Sequence, residues 1–446
     1  MKIYKHAIPQ YLLYLTIIAA FPGAYVMSVE IGSIHLFPYR YLLILLCLIF
    51  IAGIYANNWL LNVSQIKVRM YLKYLAIWII YAFLSIIWAA DKVEAARHII
   101  FLFSGILVIF FMVFYFNNLN YLKWLYITLL LIFVALLPIG IWETVTGNHL
   151  PNAGLFGIER LDMAFMPSTF FTNPNDYASY IAITMPMFLV WVRYHEKLLG
   201  RTIGIFIIIL GLWVLLMTTS RSSYIALFTG FVFWFLFMLR VKTKLKVISV
   251  GAAVLVFLIL SIPSTIQDSF TLIGQEMSSL SSVYDDEHNP DVRKNLIKNG
   301  LYFTAQSAGF GVGAGNVEYY MEKYSIYPVG RTTNIHNWWA EILANYGIFI
   351  FAGYLIFYGS LLLNLWQAYK NTHVLQEKMI CEALLVGLVS FFMASISSSS
   401  IIAFPPQWIF FGFVLAFLNY TRIKALERRN PGTLNYSIRI LRLQNP

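Results

Sequence analysis

The stretch Ile203-Gly-Ile-Phe-Ile-Ile-Ile-Leu-Gly-Leu-Trp-Val-Leu-Leu-Met217, running straight into Thr218-Thr-Ser-Arg-Ser-Ser223, decides how this 446-residue chain folds. A half-buried strand would alternate apolar and polar residues, and a soluble amphipathic helix would interrupt its apolar face every few positions. This run does neither. Other continuous apolar runs, among them Ala252 to Ile262, recur along the chain; most are about 16 to 20 residues long, near the length a helix needs to cross a bilayer core. Of all residues, 60% are hydrophobic and 11% charged, and the mean hydropathy is +0.71. That is more apolar surface than a water-soluble globule can hide, so lipid is the expected solvent. Helices are expected rather than a barrel, whose strands would be short and alternating.

The expected fold is therefore an all-α integral membrane protein, one polytopic domain over residues 1–446 with about twelve transmembrane helices. Apolar runs bounded by charge, Pro or Gly predict spans near 11–29, 38–55, 71–90, 98–116, 122–142, 177–192, 203–218, 223–239, 245–262, 347–367, 380–396 and 404–420. The first follows Lys2 and Lys5 as a signal peptide would, but no small-residue cleavage site comes after it, so a retained first helix is expected. Cys47 and Cys381 both belong to apolar runs and offer neither a disulfide framework nor a thiolate metal site.

Placing the N-terminus inside sorts 21 of the Lys and Arg residues to the inner side and 10 to the outer, and the acids 4 inside and 16 outside. Basic residues gather on the cytoplasmic side of membrane proteins, so both termini are expected in the cytoplasm and the chain in a plasma membrane. The net charge of +11 is then a signature of topology, and no nucleic-acid partner is expected. Two outer segments are long, 143–176 and a large extracytoplasmic loop at 263–335 between the ninth and tenth spans. Long loops in compact proteins tend to carry function, which is expected on this outer face.

Three places break the membrane rules. Arg221 sits in the Thr218–Ser223 turn between two strongly apolar runs. An arginine costs about 2.5–3.5 kcal/mol at the membrane centre and less near an interface, so something compensates it. It is either a snorkelling arginine on lipid headgroups or an anion site, in which hydroxyls such as Ser220 and Ser222 would suit phosphate oxygens. Arg293, in Pro290-Asp-Val-Arg-Lys-Asn295, opens a predicted amphipathic helix carrying Leu296, Ile297, Leu301 and Tyr302. His336 lies in Asn334-Ile-His-Asn-Trp-Trp-Ala-Glu-Ile-Leu-Ala-Asn-Tyr-Gly347. An Asn334 cap would put it in a first helical turn, where the dipole keeps the imidazole neutral, as a general base requires. The bland alternative is an interfacial histidine beside Trp338 and Trp339 as anchors. Gly309-Phe-Gly-Val-Gly-Ala-Gly-Asn316 lacks a GK[ST] ending and reads as a close-packed turn rather than a phosphate loop. Phe171-Thr-Asn-Pro-Asn-Asp-Tyr-Ala178 reads as a turn feeding a helix, with Asn175 or Asp176 as its cap.

Taken together, Thr218-Thr-Ser-Arg-Ser-Ser223, Arg293 ahead of Gly311-Val-Gly-Ala-Gly315, and His336-Asn337 followed by Gly347 resemble the bacterial O-antigen ligase and Wzy-type polymerase family. The stretch Thr169-Phe-Phe-Thr-Asn-Pro-Asn-Asp176 is most similar to its Gram-positive teichuronic acid or capsule polymerase branch; Ile350 departs from the small or hydroxyl residue often found there in the family. The resemblance implies a membrane glycosyltransferase that moves glycan from an undecaprenyl-diphosphate carrier to an acceptor hydroxyl on the outer face. Its implied partners are lipid-linked donor and acceptor, membrane lipids, a chain-length regulator and a flippase.

The residues offer compatible chemistry. No nucleotide sugar exists outside the cytoplasm, so a donor must arrive activated on a lipid. Arg221 and Arg293 could neutralise its diphosphate, with Ser220, Ser222 and Asn337 as further substrate contacts, and His336 could take the acceptor proton. Attack opposite the leaving group would invert the anomeric centre. No clustered acids demand a metal, so metal independence and no cofactor are expected. Repeat-unit polymerisation is the first reading and ligation to a lipid or protein acceptor the second. A twelve-helix transporter or flippase is a third, and a scaffold without catalysis a fourth.

Overall fold

The computed structural model of the protein describes residues 8–23, 28–31, 34–55, 65–151, 155–157, 163–249, 290–396, 398 and 401–429. It is a helical bundle. In chain order it contains α1 (Ile8–Ala19), α2 (Pro38–Tyr55), α3 (Arg69–Ser85), α4 (Lys92–Tyr115), α5 (Leu119–Thr146), α6 (Pro174–Tyr194), α7 (Leu198–Met217) and α8 (Arg221–Phe237). After the stretch left undescribed come α9 (Pro290–Gln306), α10 (Val317–Tyr324), α11 (Trp338–Asn371), α12 (Leu375–Ala394) and α13 (Pro405–Arg429). One departure from the all-helical expectation is a small antiparallel hairpin between α1 and α2: β1 (Val29–Ile31) pairs with β2 (Ile34–Leu36), Val29 opposite Leu36.

Each of the twelve predicted spans overlaps helix, although the ninth, 245–262, is described only over 245–249 and 263–289 of the predicted loop lies outside the described residues. Six helices among the described residues, α2, α4, α5, α7, α11 and α13, are long and apolar enough to cross a membrane. The others fall short for physical reasons. Helices α1, α3 and α8 are under 18 residues. Helices α6 and α12 pack inside the bundle and carry buried polar groups, Asp176, Ser179 and Thr184 on the first, Glu377, Glu382 and Ser390 on the second. Lipid-type faces appear where helices lack protein neighbours: on α7, Ile205, Phe206, Ile209, Leu212 and Leu216 are exposed, a stripe at helical spacing.

Helix ends are set by local chemistry. Asp91 caps α4 by accepting from the Val93 and Glu94 N–H groups, both at 2.9 Å, and Asn118 caps α5 by accepting from Tyr121 N at 3.0 Å. Two internal carboxylates at the end of the bundle away from His336 each accept from three donors. Glu382 accepts from Arg193, from Tyr194 Oη at 2.8 Å and from Trp234 Nε1 at 2.6 Å. Glu377 accepts from Lys424, from Tyr420 Oη at 2.6 Å and from Thr372 Oγ1 at 2.7 Å. Buried carboxylates of this kind are tolerated because each oxygen accepts at least one hydrogen bond.

Helix α11 is two helices joined at Gly347, whose φ of 76° and ψ of −176° are open essentially to glycine alone. The break leaves carbonyls without helical donors, and the glycine-rich segment supplies them: Val312 N donates to Ala344 O at 2.9 Å and Gly313 N to Asn345 O at 3.0 Å. In return Ile348 N donates to Gly309 O at 2.9 Å. A Cβ on Gly347 would lie 2.2 Å from Gly309 O. Gly311 and Gly347 thus allow backbone-to-backbone packing, as expected of a close-packed turn.

Beyond the main core, a second apolar cluster joins α9, α10 and the start of α11 through Leu296, Phe303, Val317, Met321, Ile335 and Ala344. This lobe spans residues 290–346. The buried face of α9 differs from the sequence expectation, because Val292, Leu296, Asn299 and Phe303 point inward at helical spacing while Leu301 is exposed.

Candidate functional site

The expected cap at Asn334 is not the one the chain uses. Helix α11 begins at Trp338, and its cap is Asn337, whose side chain accepts from Ala340 N at 3.1 Å. Asn337 has the extended backbone of a cap, so the first helical turn starts after His336 rather than around it. Asn334 plays a different part. Its Oδ1 accepts from His336 N at 2.8 Å, and its amide donates to Glu318 of α10 at 2.6 Å. His336 is held between these two asparagines, 5% exposed, with a φ of 51°. That left-handed conformation costs a residue with a Cβ about 1–2 kcal/mol and persists only where the surroundings impose it.

The two tryptophans after His336 and Asn337 anchor the segment. Trp338 N donates to Ser395 O at 3.0 Å, Trp338 Nε1 to Tyr354 Oη at 2.9 Å, and Trp339 Nε1 to Ser395 Oγ at 3.0 Å. Trp338 is buried, not an interfacial anchor, because its ring packs among Trp78 and Tyr354 in the main core.

The same connection between α12 and α13 reaches the start of α6. Ser398 Oγ donates to Asp176 Oδ1, and Ser179 Oγ donates to Ala394 O at 3.2 Å. Asp176 is buried in the first turn of α6 but is not its cap, nor is Asn175. Asn173 is, accepting from Asp176 N at 2.9 Å with Pro174 behind it, where a missing N–H costs nothing. Ahead of it, the loop is fixed by Glu143, whose buried Oε2 accepts from Ser168 N at 2.8 Å and Thr169 N at 2.7 Å. His149 supports Glu143 from the other side, with Nδ1 3.5 Å from Oε1. Its Nε2 lies 3.0 Å from Ala164 O, which can only accept, so that nitrogen carries the proton.

This loop touches the Arg221 turn, where Thr219 Oγ1 lies 3.5 Å from Met166 Sδ. Arg221 is the first residue of α8 and is exposed; Ser220, the buried cap position, bonds Ser223 Oγ at 3.1 Å rather than a backbone N–H. Ser222 Oγ is buried without a hydrogen-bond partner. Thr219 has a φ of 55°, a conformation rarely taken by a β-branched residue.

The described non-glycine residues with positive φ are Thr169, Thr219, Ala308 and His336. Three of them fall in these three linked segments, which sequence reading had no means to connect. Arg293 joins from the lobe: it is half-buried in the first turn of α9, beside Val292, which shares the small core with Ile335. His336, Asn337 and Arg293 therefore belong to one lobe. Arg221, Ser220 and Ser222 belong to a separate turn joined to it through Met166, Asp176, Ser398 and Ser395. Sequence reading missed Glu143, His149 and Thr169, whose only trace was a carboxylate and a histidine in a long loop. Among the described residues no group of three or more His, Cys, Asp or Glu gathers as metal ligands would.

Comparison with known proteins bears on this arrangement. Residues 206–355, which hold the Arg221 turn, Arg293 and His336, match the O-antigen ligase family. The chain is also 31% identical over 411 residues to the teichuronic acid biosynthesis protein TuaE of Bacillus subtilis (strain 168), covering 92% of this chain and 84% of that one.

Proposed function

This chain belongs to the O-antigen ligase family, and from that membership we propose that it is a membrane glycosyltransferase building a cell-surface polysaccharide from undecaprenyl-diphosphate-linked donors. The reaction forms a bond between an acceptor hydroxyl oxygen and the donor's anomeric carbon. It breaks the bond from that carbon to the diphosphate, and the lipid diphosphate leaves. His336 takes the hydroxyl proton; Arg221 and Arg293 neutralise the departing phosphates, with Ser220, Ser222 and Asn337 around them. In-line attack inverts the anomeric centre, and the arginines supply the positive charge that a metal would otherwise bring. Both termini lie in the cytoplasm, so the site faces outward.

The observation that carries this reading is His336 itself: a buried imidazole held in a left-handed backbone directly ahead of a capped helix. Strain of this order is retained where geometry matters to function. Polymerisation of repeat units is the first reading, and ligation to a lipid or protein acceptor the second.

The test is His336→Ala, together with His336→Gly, which relieves the backbone strain. Both are expected to insert normally and to lose transfer between lipid-linked repeats by about 10²–10⁴-fold. Polymer synthesis retained in either variant removes the base.

A further inference from the structure

We propose that a cleft between the lobe and Trp88 of the α3–α4 connection, apart from His336, is a subsite for the glycan chain, binding uncharged faces of sugar rings in an oligosaccharide; this rests on the transferase reading above. The cleft measures about 670 Å³ and is lined by Trp88, Phe303, Gln306, Ser307, Phe310 and Tyr320, together with Gly311 and Val312. Its size falls in the range of about 300–1,000 Å³ typical of small-molecule sites.

The lining commits the cleft to one kind of occupant. It contains no charged side chain, so a diphosphate or an acidic peptide would find no partner there. It contains one aliphatic side chain, Val312, 2% exposed, so an isoprenoid tail would find little to match its methyl-bearing chain. What it offers is aromatic surface next to an amide and hydroxyls. A sugar ring has the complementary pair of surfaces, a C–H face that lies on an aromatic ring's electron-rich face and an edge of hydroxyls that exchange hydrogen bonds with amide and phenol groups. Trp88 and Phe310 present this surface, 38% and 51% exposed.

The rings are also held in place before any ligand arrives. Trp88 Nε1 donates to Gly311 O at 3.1 Å, and its ring meets Tyr81 edge-on at 5.8 Å. Tyr81 Oη donates in turn to Phe310 O at 2.6 Å. Tyr320 meets Phe303 edge-on at 5.6 Å. Ser307 Oγ accepts from Gly311 N at 2.9 Å, fixing the floor of the cleft. The glycine segment that forms this floor is the one hydrogen-bonded across the Gly347 break. The tight turn that satisfies the break therefore also stiffens the cleft, and a stiff site loses little entropy on binding.

The cleft opens at the Gly347 end of the first α11 segment, and His336 precedes the other end, ~12 Å away at 1.5 Å per residue. A chain bridging the two would place sugars in the cleft that are not the ones reacting. The cleft would then keep a growing chain bound between transfers and set product length, without changing the chemistry of one transfer.

The experiment uses the full chain in nanodiscs, wild type against Trp88→Ala and Tyr320→Ala, with Trp88→Phe as the conservative variant. The binding probe is an oligosaccharide ladder cut from the surface polysaccharide of the producing cell. Both alanine variants are expected to bind it about tenfold more weakly, as the loss of one ring contact predicts, and Trp88→Phe to recover part of the loss. The first bond between two lipid-linked repeats should form at the wild-type rate, while the product distribution shifts to shorter chains. Unchanged binding and unchanged lengths in both alanine variants overturn the proposal. Competition for the cleft by sugar-free polyprenyl phosphate, with none by the oligosaccharides, overturns it in favour of a lipid tail. Binding readouts as expected from a protein that forms no glycosidic bond would leave the cleft standing and remove the transferase reading instead.

Discussion

Arg221 and His336 make different demands on their surroundings. His336 is buried and its backbone is strained, so its neighbours Asn334, Asn337 and Trp338 fix the backbone that carries its ring. Arg221 is exposed at the start of a helix, where its charge opposes the dipole and adds little to stability. In the proposed function its partner is a phosphate of the lipid-linked donor. Arg221→Lys keeps the charge but loses the planar fork that grips two phosphate oxygens. We expect transfer to fall at least about tenfold while thermal stability stays within about 0.5 kcal/mol, as for other exposed substitutions. Steady-state transfer and a thermal melt in detergent measure the two. Wild-type transfer would return Arg221 to the role of a lipid-snorkelling residue.

Among elements, the break in α11 and the glycine segment form one unit, since each satisfies backbone groups the other leaves open. In Gly347→Ala the new Cβ would press on Gly309 O in a conformation closed to alanine, and strain of this kind costs about 1–3 kcal/mol before the collision is counted. Lower yield and a lower melting temperature are expected, with the lobe rather than the rest of the bundle losing protection in hydrogen exchange. At the other end of the bundle, Glu377 ties α12 to α13. Burial pushes its carboxyl up, but hydrogen bonds from Lys424, Tyr420 and Thr372 outweigh it and hold the group below the ordinary value of 4.5. A group with a depressed folded value binds its proton more weakly folded than unfolded. Its contribution to stability is therefore complete above about pH 4.5 and lost as pH falls through the lower folded value. Glu377→Gln is expected to lower the melting temperature at pH 7 and to narrow its gap to the wild type at pH 4; a constant gap would mean that the staple contributes nothing.

At the scale of the whole molecule, the two ends of the bundle differ in chemistry. One gathers Arg193 and Lys424 around buried carboxylates; the other gathers the strained loops, Arg221 and His336. On the proposed topology, a reporter fused in the 263–289 segment is expected to be active only in its extracytoplasmic form, and a cytoplasmic signal would remove the lipid-linked donor from reach. The membrane class, nearly all of the helix positions and the family were legible in the sequence, because long apolar runs and short ordered motifs are local properties of a chain. The buried polar faces of α6 and α12 were not, since a polar residue in a span reads the same whether it meets lipid or protein. Nor were the caps: two asparagines beside His336 and three polar residues near Pro174 compete for one role, and only the surrounding contacts choose Asn337 and Asn173. Sequence alone determined that Arg221, Arg293 and His336 exist as an ordered set. Tertiary structure decided that Glu143, Met166, Asp176, Ser395 and Ser398 bind their segments together, because hydrogen bonds between distant loops depend on how helices pack and leave no periodic mark in the chain.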